Sequence, residues 1–291
     1  MCSPEVMAHV HSALRRGRQP VSRRNFLGAA GAVTAAGVLM PMSLHAQSAT
    51  PVASPVSAGG TVSYGNVANL SYANSPATPV WPGNPSFAME AVVTIENDGF
   101  YANVLTFHEH TGTHMDSPGH FFADGATVDR IDPTQLVAPL VVIDITAQAE
   151  ADVDYGVAVD DILAWEAEYG EIPAGALVTF TSGWDARYDD AEAFVNLDAE
   201  GVKHFPGFSP AAAEFLVAER QIVGIGSDTL SQDPGNSTDF GTHIAILGAG
   251  KYGLEGVANL GTVPASGATV IIGAANHVDG SGGPARVLAL Y

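Results

Sequence analysis

The chain has 291 residues, of which 46% are hydrophobic, and a formal net charge of −20. This length and composition provide a sizeable core, so we expect one domain after the N-terminal segment. The strong negative charge repels nucleic acid and anionic lipid surfaces, which argues against both as partners.

The N-terminal segment, residues 1–48, has the composition of an export signal. The stretch SRRNFL at 22–27 places Arg23 and Arg24 before a long apolar run rich in alanine and glycine. A basic start, an apolar centre and a small-residue exit form a secretory signal, and the paired arginines favour the twin-arginine route. The alternative is a retained anchor, since the run is nearly long enough to span a bilayer. Its glycines and Pro41 favour a cleaved signal, so we expect a periplasmic or extracellular protein that leaves the membrane after cleavage.

The next segment, residues 49–60, is rich in proline, serine, alanine and glycine and has no apolar period, which predicts a tether before a domain at 61–291. Residues 1–48 hold five basic residues and one acidic residue, so the remainder has a formal charge of −24 and concentrates cations. Cys2, the only cysteine, lies in the predicted signal. The exported part therefore forms no disulfide, and a metal site in it would have only nitrogen and oxygen ligands.

Along the domain, a weakly alternating run at 91–97 predicts a strand, and short β-branched apolar runs predict buried strands. The buried runs are LVVIDI (140–145), ALVTFT (176–181), QIVGIGS (221–227) and ATVIIG (268–273). Helical spacing, a Ser-Pro start and closing glycines predict three helices. These are VAVDDILAWEAEYG (157–170), SPAAAEFLVAER (209–220) and THIAILGAG (242–250). The expected class is α/β with more strand than helix. Strands and helices alternate too irregularly along the chain for a doubly wound sheet.

The stretch HEHTGTHMDSPGH at 108–120 contains four of the ten histidines. Its potential ligands at even spacing are His110, His114, Asp116 and His120. Even spacing places side chains on one face of a strand, but a straight strand would spread them over ~33 Å. Gly112 and Pro118 disfavour a helix, so we expect a strand or loop bent near both residues. Converging imidazoles would repel one another if protonated, which predicts a metal site. The alternative is a set of hydrogen-bonded or surface histidines.

The segment HTGTHMDSPGH matches HxGTHxDxPxH, the signature of the metal-dependent cyclase family, at every fixed position. The chain resembles this family, which includes bacterial kynurenine formamidases and isatin hydrolases, over residues 61–291. Further segments resemble the family's landmarks in the same order: VWPGNP (80–85), TSGW (181–184), HFPGFS (204–209), GSDTLS (226–231) and GSGGPARVLAL (280–290). The resemblance implies a single strand-rich α/β domain with the swivelling β/β/α fold.

The resemblance also implies a site for two divalent metal ions, zinc or manganese. The residues implied as ligands are His110, His114, Asp116, His243 and Glu255. Asp116 would bridge the two metals, and His120 would be the acid/base. Glu255 lies in the apolar stretch LEGVANL, where a carboxylate is costly unless it is paired. The alternative for Glu255 is a solvated loop acid. Isatin hydrolases can carry glutamine at this position, so the carboxylate favours the formamidase-like pattern.

Trp81 is the candidate substrate-binding residue, because its ring can form a flat wall against an aromatic substrate, with structural packing as the alternative. The other notable side chains are expected to have supporting or structural roles: His108, Glu109, Trp184, His204 and His277.

The resemblance implies an arylformamidase-like hydrolase that cleaves a C–N bond in a small amide, formamide or lactam. Metal-activated water would attack the carbonyl, and His120 would carry the proton. The alternatives are isatin hydrolase-like lactam opening, lactone or ester hydrolysis, ring-closing cyclase activity, and a metal- or ligand-binding protein without turnover. A binding protein has no need of an acid/base histidine, so His120 favours an enzyme. The expected partners are a small aromatic amide as substrate and, from the resemblance, further copies of the chain in a homodimer or higher homo-oligomer.

Overall fold

The structure is a computed structural model, and it describes residues 63–291. The predicted export signal at 1–48 and the tether at 49–60 lie outside the described residues. Within the described part of the chain, no helix is both long and apolar enough to cross a bilayer.

Strands outnumber helices in residues 63–291. The strands are β1 (Val67–Asn69), β2 (Ala88–Val93), β3 (Ala102–Thr106), β4 (His114–Asp116), β5 (Val137–Asp144), β6 (Gly156–Val157), β7 (Leu177–Thr181), β8 (Gly207–Phe208), β9 (Gly224–Gly226), β10 (Tyr252–Glu255), β11 (Ala268–Ala274) and β12 (Gly282–Leu290). The α-helices are α1 (Ile95–Asp98), α2 (Thr146–Ala151), α3 (Val159–Tyr169), α4 (Ala191–Val195), α5 (Pro210–Glu219) and α6 (Gly241–Gly248). The 3-10 helices are Pro118–His120, Val128–Arg130, Pro133–Leu136, Trp184–Arg187 and Leu260–Thr262.

Seven strands form a closed, barrel-like sheet. Their order is β12-β11-β5-β7-β9-β10-β4, and β4 pairs back with β12 to complete the ring, while β1 lies beside β12. Strands β5, β7, β9 and β10 run parallel to one another, and the remaining pairs of the ring are antiparallel. Parallel neighbours need crossover connections, and α3, α5 and α6 lie in these connections. Separate two-stranded pairs are formed by β2 with β3 and by β6 with β8.

The parallel strands are buried on both faces. In β5, Leu140 and Val142 belong to one hydrophobic cluster, and Val141 and Ile143 belong to another. Because both faces are covered, such strands are continuous apolar runs and do not alternate with polar residues. Each buried side chain of this size contributes about 1.5–3 kcal/mol relative to exposure. The four predicted buried strands are confirmed as β5, β7, β9 and β11.

The three predicted helices are confirmed as α3, α5 and α6. Helix α5 shows the reason, because the Ser209 hydroxyl accepts a hydrogen bond from the Ala212 N–H at 3.2 Å and Pro210 occupies the first helical position. Both features stabilise a helix start. The expected strand-rich α/β class is therefore confirmed.

The strand predicted at 91–97 is wrong in its second half. Strand β2 ends at Val93, and helix α1 follows. The Thr94 hydroxyl accepts a hydrogen bond from the Asn97 N–H at 3.4 Å, and the Thr94 N–H donates to the Asp98 carboxylate at 3.0 Å. This exchange satisfies free N–H groups at the helix start and outweighs the weak alternation of the sequence.

Residues 90–104, which carry α1 and most of β2 and β3, belong to a different compact unit from the rest of the described chain. Several of their apolar side chains are exposed: Val92, Ile95, Tyr101 and Val104. All residues of the site described below belong to the other unit, residues 63–89 and 105–291.

Candidate metal centre and aromatic pocket

The histidine segment is bent at both predicted positions. Gly112 has a φ of +63°, and a Cβ added there would lie 2.1 Å from the side-chain oxygen of Asn74. Only glycine adopts this conformation without strain. Pro118 begins the 3-10 helix that ends at His120. The extended part is reduced to the three residues of β4, so the histidines on either side can converge.

Strand β4 lies between two partners, and its register determines which side chains meet. His114 lies opposite Glu255 of β10 and opposite Pro284 of β12. His114 and Asp116 point to one face because side chains alternate along a strand, whereas Met115 between them is fully buried in the core. The antiparallel pairing of β4 with β10 therefore brings a glutamate 141 residues further along the chain beside the first histidines.

Two buried carboxylates lie between three imidazoles. Asp116 Oδ1 is 2.6 Å from His110 Nδ1 and 3.3 Å from His114 Nε2, and Asp116 Oδ2 is 3.2 Å from His243 Nε2. Glu255 contacts two of the same rings, with Oε2 at 3.3 Å from His114 Nε2 and Oε1 at 3.2 Å from His243 Nε2. The structure thus brings together all five predicted ligands.

The far nitrogens of two imidazoles are fixed by acceptors. His114 Nδ1 lies 2.9 Å from the carbonyl oxygen of Gly112, and His243 Nδ1 contacts the Asp233 carboxylate. Carbonyl and carboxylate oxygens only accept, so each Nδ1 carries a proton and each Nε2 can bind a second proton or a cation. The buried Nε2 of His114 lies 3.3 Å from both Asp116 Oδ1 and Glu255 Oε2, but neither contact has the direction of a hydrogen bond. Nitrogen and oxygen atoms that converge in this way fit a divalent metal.

The electrostatics of the cluster favour a cation. Burial would lower the pKa of His114, but its contacts with Asp116 and Glu255 raise that pKa to about 10. Burial would raise the pKa of Asp116, but its contacts with His110, His114 and His243 hold that pKa well below its usual value. Protons and metal compete for the same nitrogen atoms, so a metal that binds here displaces protons.

His120 lies beside this cluster. The possible ligand atoms of His110, Asp116 and His120 all lie within 4.8 Å of one another, as do those of His114, Asp116 and Glu255. The His120 side chain is exposed where it lines the pocket, and partial desolvation by its surroundings is the largest cause that lowers its pKa, so its ring is neutral near pH 7 and can accept a proton. Its position permits both liganding and proton transfer, and the acid/base role stays a prediction.

A cavity of about 530 Å³ opens onto the cluster, a volume typical of small-molecule sites. Its polar floor includes His110, His114, His120, His243 and Glu255. Its wall is aromatic: the Phe121 ring stacks on His243 with centroids 4.9 Å apart, and the Trp81 and Phe240 centroids are 6.2 Å apart. The Lys203 ammonium lies 4.1 Å from the centre of the Trp81 ring. Trp81 therefore lines the pocket, and its contact with a substrate stays a prediction.

Residues 68–234 match the family model described as "Putative cyclase". The chain belongs to the cyclase family. An isatin hydrolase of Roseibium aggregatum is 38% identical over 233 residues, which cover 74% of this chain and 88% of that protein. A kynurenine formamidase of Salinibacter ruber is 27% identical over 222 residues, which cover 76% of this chain and 95% of that protein.

A solved structure has the same architecture as this cyclase-family chain. It is an isatin hydrolase bound to the product analogue thioisatinate, with a TM-score of 0.73, 34% identity, and coverage of 77% of this chain and 92% of that one. Both relatives and this structural neighbour are hydrolases of C–N bonds, and the cyclase family is metal-dependent. The family fold expected from the signature is confirmed.

The export prediction is confirmed by a separate match. Residues 20–40 match the model of the twin-arginine translocation signal. This cyclase-family protein is therefore exported by the twin-arginine pathway, to the periplasm or the extracellular space.

Sequence reasoning missed Asp233, which supports His243 of this cyclase-family site. Its carboxylate contacts His243 Nδ1 and also accepts the Thr242 N–H at 2.7 Å and the His243 N–H at 3.2 Å. One side chain thus binds the start of α6 and orients the histidine that α6 carries, as partners of metal-binding histidines commonly do. The sequence signal that could have indicated this role is an aspartate in the stretch Ser-Gln-Asp-Pro, shortly before the predicted helix that contains His243.

Gln232 was also missed, although it contacts both buried carboxylates. Its side-chain N–H donates to Asp116 Oδ2 at 3.0 Å, and its backbone N–H donates to Glu255 Oε1 at 3.1 Å. Gly253 makes room for it, because a Cβ there would lie 2.1 Å from Gln232 Nε2. Nothing in the local sequence indicates these contacts, since they join segments far apart in the chain.

His204, Trp184 and His108, which were expected to have structural or supporting roles, make contacts with neighbouring protein groups. His204 contacts Asp154 at 2.7 Å, away from the pocket. Trp184 is 3% exposed, and its indole N–H donates to the Phe194 carbonyl at 2.9 Å, which confirms it as a core residue. His108 lines the pocket, and its Nδ1 accepts the His110 N–H at 3.2 Å.

Proposed function

We propose that this protein is a metal-dependent hydrolase that cleaves the C–N bond of a small aromatic amide. One observation carries the proposal: the Nε2 atoms of His114 and His243 converge on the carboxylates of Asp116 and Glu255 at the floor of an aromatic-lined cavity. The residues that would hold two divalent ions are His110, His114, Asp116, His243 and Glu255. Nitrogen and oxygen ligands suit zinc and manganese alike.

Bound divalent ions at such a site activate water and polarise a carbonyl oxygen. The residues of this chain supply the proton transfer and the substrate contacts. His120, neutral near pH 7, accepts a proton as water adds to the carbonyl carbon. It returns that proton to the nitrogen as the C–N bond breaks, which leaves an amine and a carboxylic acid. Trp81, Phe121 and Phe240 hold the aromatic part of the substrate by ring contacts.

Two substrate classes fit this chemistry. In a formamide of an aromatic amine, the two products separate, and in a lactam fused to an aromatic ring, they stay joined in one molecule. The carboxylate at Glu255 favours the formamide, and the 38% identity with an isatin hydrolase favours the lactam. The bond that breaks and the roles of the floor residues are the same in both.

The test is a direct assay of the exported protein with its metal content measured on the same preparation. We expect hydrolysis of isatin, of an N-formyl aromatic amine, or of both, and no hydrolysis after the metal is removed by a chelator. A preparation that holds metal but opens no amide, lactone or ester would contradict the proposal and favour a binding protein. Product formation from an open-chain amino acid would instead favour ring closure.

We also propose that the protein forms a homodimer or higher homo-oligomer, as the family resemblance implies. Light scattering of the purified protein at several concentrations would measure its mass, and a monomer at all concentrations would contradict this proposal.

A further inference from the structure

Behind His110, on the side away from Asp116, three polar groups form a chain. His110 Nε2 lies 3.0 Å from the Ser281 hydroxyl oxygen, and this oxygen lies 2.5 Å from Glu109 Oε2. Glu109 Oε2 also accepts the Ser281 N–H at 3.2 Å, and Glu109 Oε1 lies 2.5 Å from His277 Nε2. None of these partners belongs to the five predicted metal ligands, so the function described so far leaves them unexplained.

The donors and acceptors in this series of hydrogen bonds can be assigned. An ionised carboxylate only accepts hydrogen bonds, so the Ser281 O–H must donate to Glu109. The Ser281 oxygen then accepts from His110, which places the ring proton of His110 on Nε2. The other ring nitrogen, Nδ1, lies 2.6 Å from Asp116 Oδ1 and faces the proposed metal centre.

His114 and His243 are fixed in the same way by simpler means. Gly112 supplies a backbone carbonyl to His114, and Asp233 supplies a carboxylate to His243. His110 has no carbonyl or carboxylate as its direct acceptor. Its acceptor is the Ser281 hydroxyl oxygen, and Glu109 orients that hydroxyl by accepting its proton in a hydrogen bond. Each of the three imidazoles therefore has an acceptor at its outer nitrogen and turns its other nitrogen toward the shared carboxylates.

The sequence around Ser281 is built for this contact. A Cβ on Gly282 would lie 2.6 Å from His110 Cε1, and a Cβ on Gly280 would lie 2.4 Å from His277 Nε2. Ser281 is held from the other side as well, because its carbonyl oxygen accepts the Ser117 hydroxyl at 2.8 Å. The glycines of the GSGG stretch thus let one serine approach the imidazole closely.

We propose that Ser281 and Glu109 are positioning residues that lock His110 in the tautomer able to bind metal through Nδ1. The inference rests on the proposed metal centre and adds residues that the signature does not contain. Partners of this kind, behind a metal-binding histidine, are typically worth about 10- to 100-fold in metal affinity.

The first measurement is metal affinity, determined by chelator competition on the metal-loaded protein. Ser281→Ala should weaken metal binding by about 10- to 100-fold. Ser209→Ala is the matched control, because its hydroxyl also makes a 2.8 Å hydrogen bond, to the Val157 carbonyl away from the pocket. This control should leave metal affinity unchanged. Equal affinities for the two variants would overturn the proposal.

A double-mutant cycle tests whether Ser281 and Glu109 act on His110 through the same series of hydrogen bonds or weaken metal binding independently. Glu109→Ala should weaken metal binding like Ser281→Ala, and the double variant should be no weaker than the weaker single variant, since both act through one chain. Losses that simply add would mean that the two residues act independently and would overturn the relay.

The decisive spectroscopic test is nitrogen-15 NMR of the imidazoles in the zinc-loaded protein. The wild type should show His110 with its proton on Nε2 and zinc on Nδ1, and Ser281→Ala should make that Nε2 proton exchange faster with water. Zinc on Nε2 of His110 in the wild type would overturn the proposal. Neither NMR nor metal competition requires turnover, so a failure of the proposed hydrolase function would be distinguished from a failure of the lock.

Discussion

The floor and the wall of the pocket differ in burial and in chemistry. At and beneath the floor, the four proposed ligands His114, Asp116, His243 and Glu255 are at most 6% exposed and contact one another through polar atoms, whereas the floor residue His120 is exposed. In the wall, Phe121 is 37% exposed, and its contacts are with other rings. One pocket therefore combines a set of buried polar ligand candidates with a more open aromatic wall.

This difference indicates that substitutions in the wall should cost less free energy than substitutions on the floor. Removal of one partner from a buried charged pair typically costs about 3–5 kcal/mol, because the other charge is left uncompensated. Ring contacts in the wall are individually worth less, about 0.5–1.5 kcal/mol each beyond the area that they bury. Changes on the floor should therefore affect metal binding, and changes in the wall should affect substrate binding.

The largest effect is expected for Asp116→Ala. This carboxylate contacts three histidines, so its loss should abolish activity and lower the metal content. Metal analysis and turnover on one preparation would measure both. Asp154→Ala is the control, because Asp154 pairs with His204 outside the pocket and its loss should leave the metal content unchanged. Retention of two metal equivalents by Asp116→Ala would contradict the bridging role.

His120→Ala tests whether the floor contains a residue that is not a ligand. We expect most of the metal to remain bound and turnover to fall by about 10²- to 10⁴-fold, the usual value of a positioned proton-transfer group. His110→Ala and His114→Ala should instead lose metal and activity together. If His120→Ala loses metal as completely as His114→Ala, His120 is a ligand, and another group carries the proton.

Asp233→Asn tests the support beneath the floor. The asparagine oxygen can still accept the Thr242 N–H at the start of α6, but its amide NH2 group then faces His243 and cannot accept a hydrogen bond from Nδ1. Metal affinity should fall by about 10- to 100-fold with a small change in thermal stability. Chelator competition and a melting curve would measure the two effects. An unchanged affinity would show that α6 alone orients His243.

The smallest effect is expected in the wall, for Trp81→Ala. The loss of ring contacts should raise KM for an aromatic amide by about 3- to 10-fold, with the metal content unchanged. Trp81→Phe should restore most of the affinity, since it keeps a flat ring. A loss of metal in Trp81→Ala would show that a wall residue contributes to metal binding. It would contradict the expectation that changes in the wall affect only substrate binding.

Much of the candidate site could be predicted because its residues are close in sequence. The spacing of His110, His114 and Asp116, with Gly112 to bend the chain, indicates convergence on one point. His243 and Glu255 were predicted only from the family resemblance. Their distance along the chain hides their proximity, which depends on the pairing of β4 with β10.

The sequence by itself determined the export signal, the buried strands, the main helices and the metal-binding character of the histidine segment, because each depends on composition or on short-range spacing. Tertiary structure alone decided the partners of the ligands: Gln232 for Asp116, Asp233 for His243 and Ser281 for His110. A hydrogen bond requires two atoms within about 3 Å in a suitable direction. Only the register of paired strands and the closure of the ring through β4 and β12 bring such atoms together, and no local pattern records either.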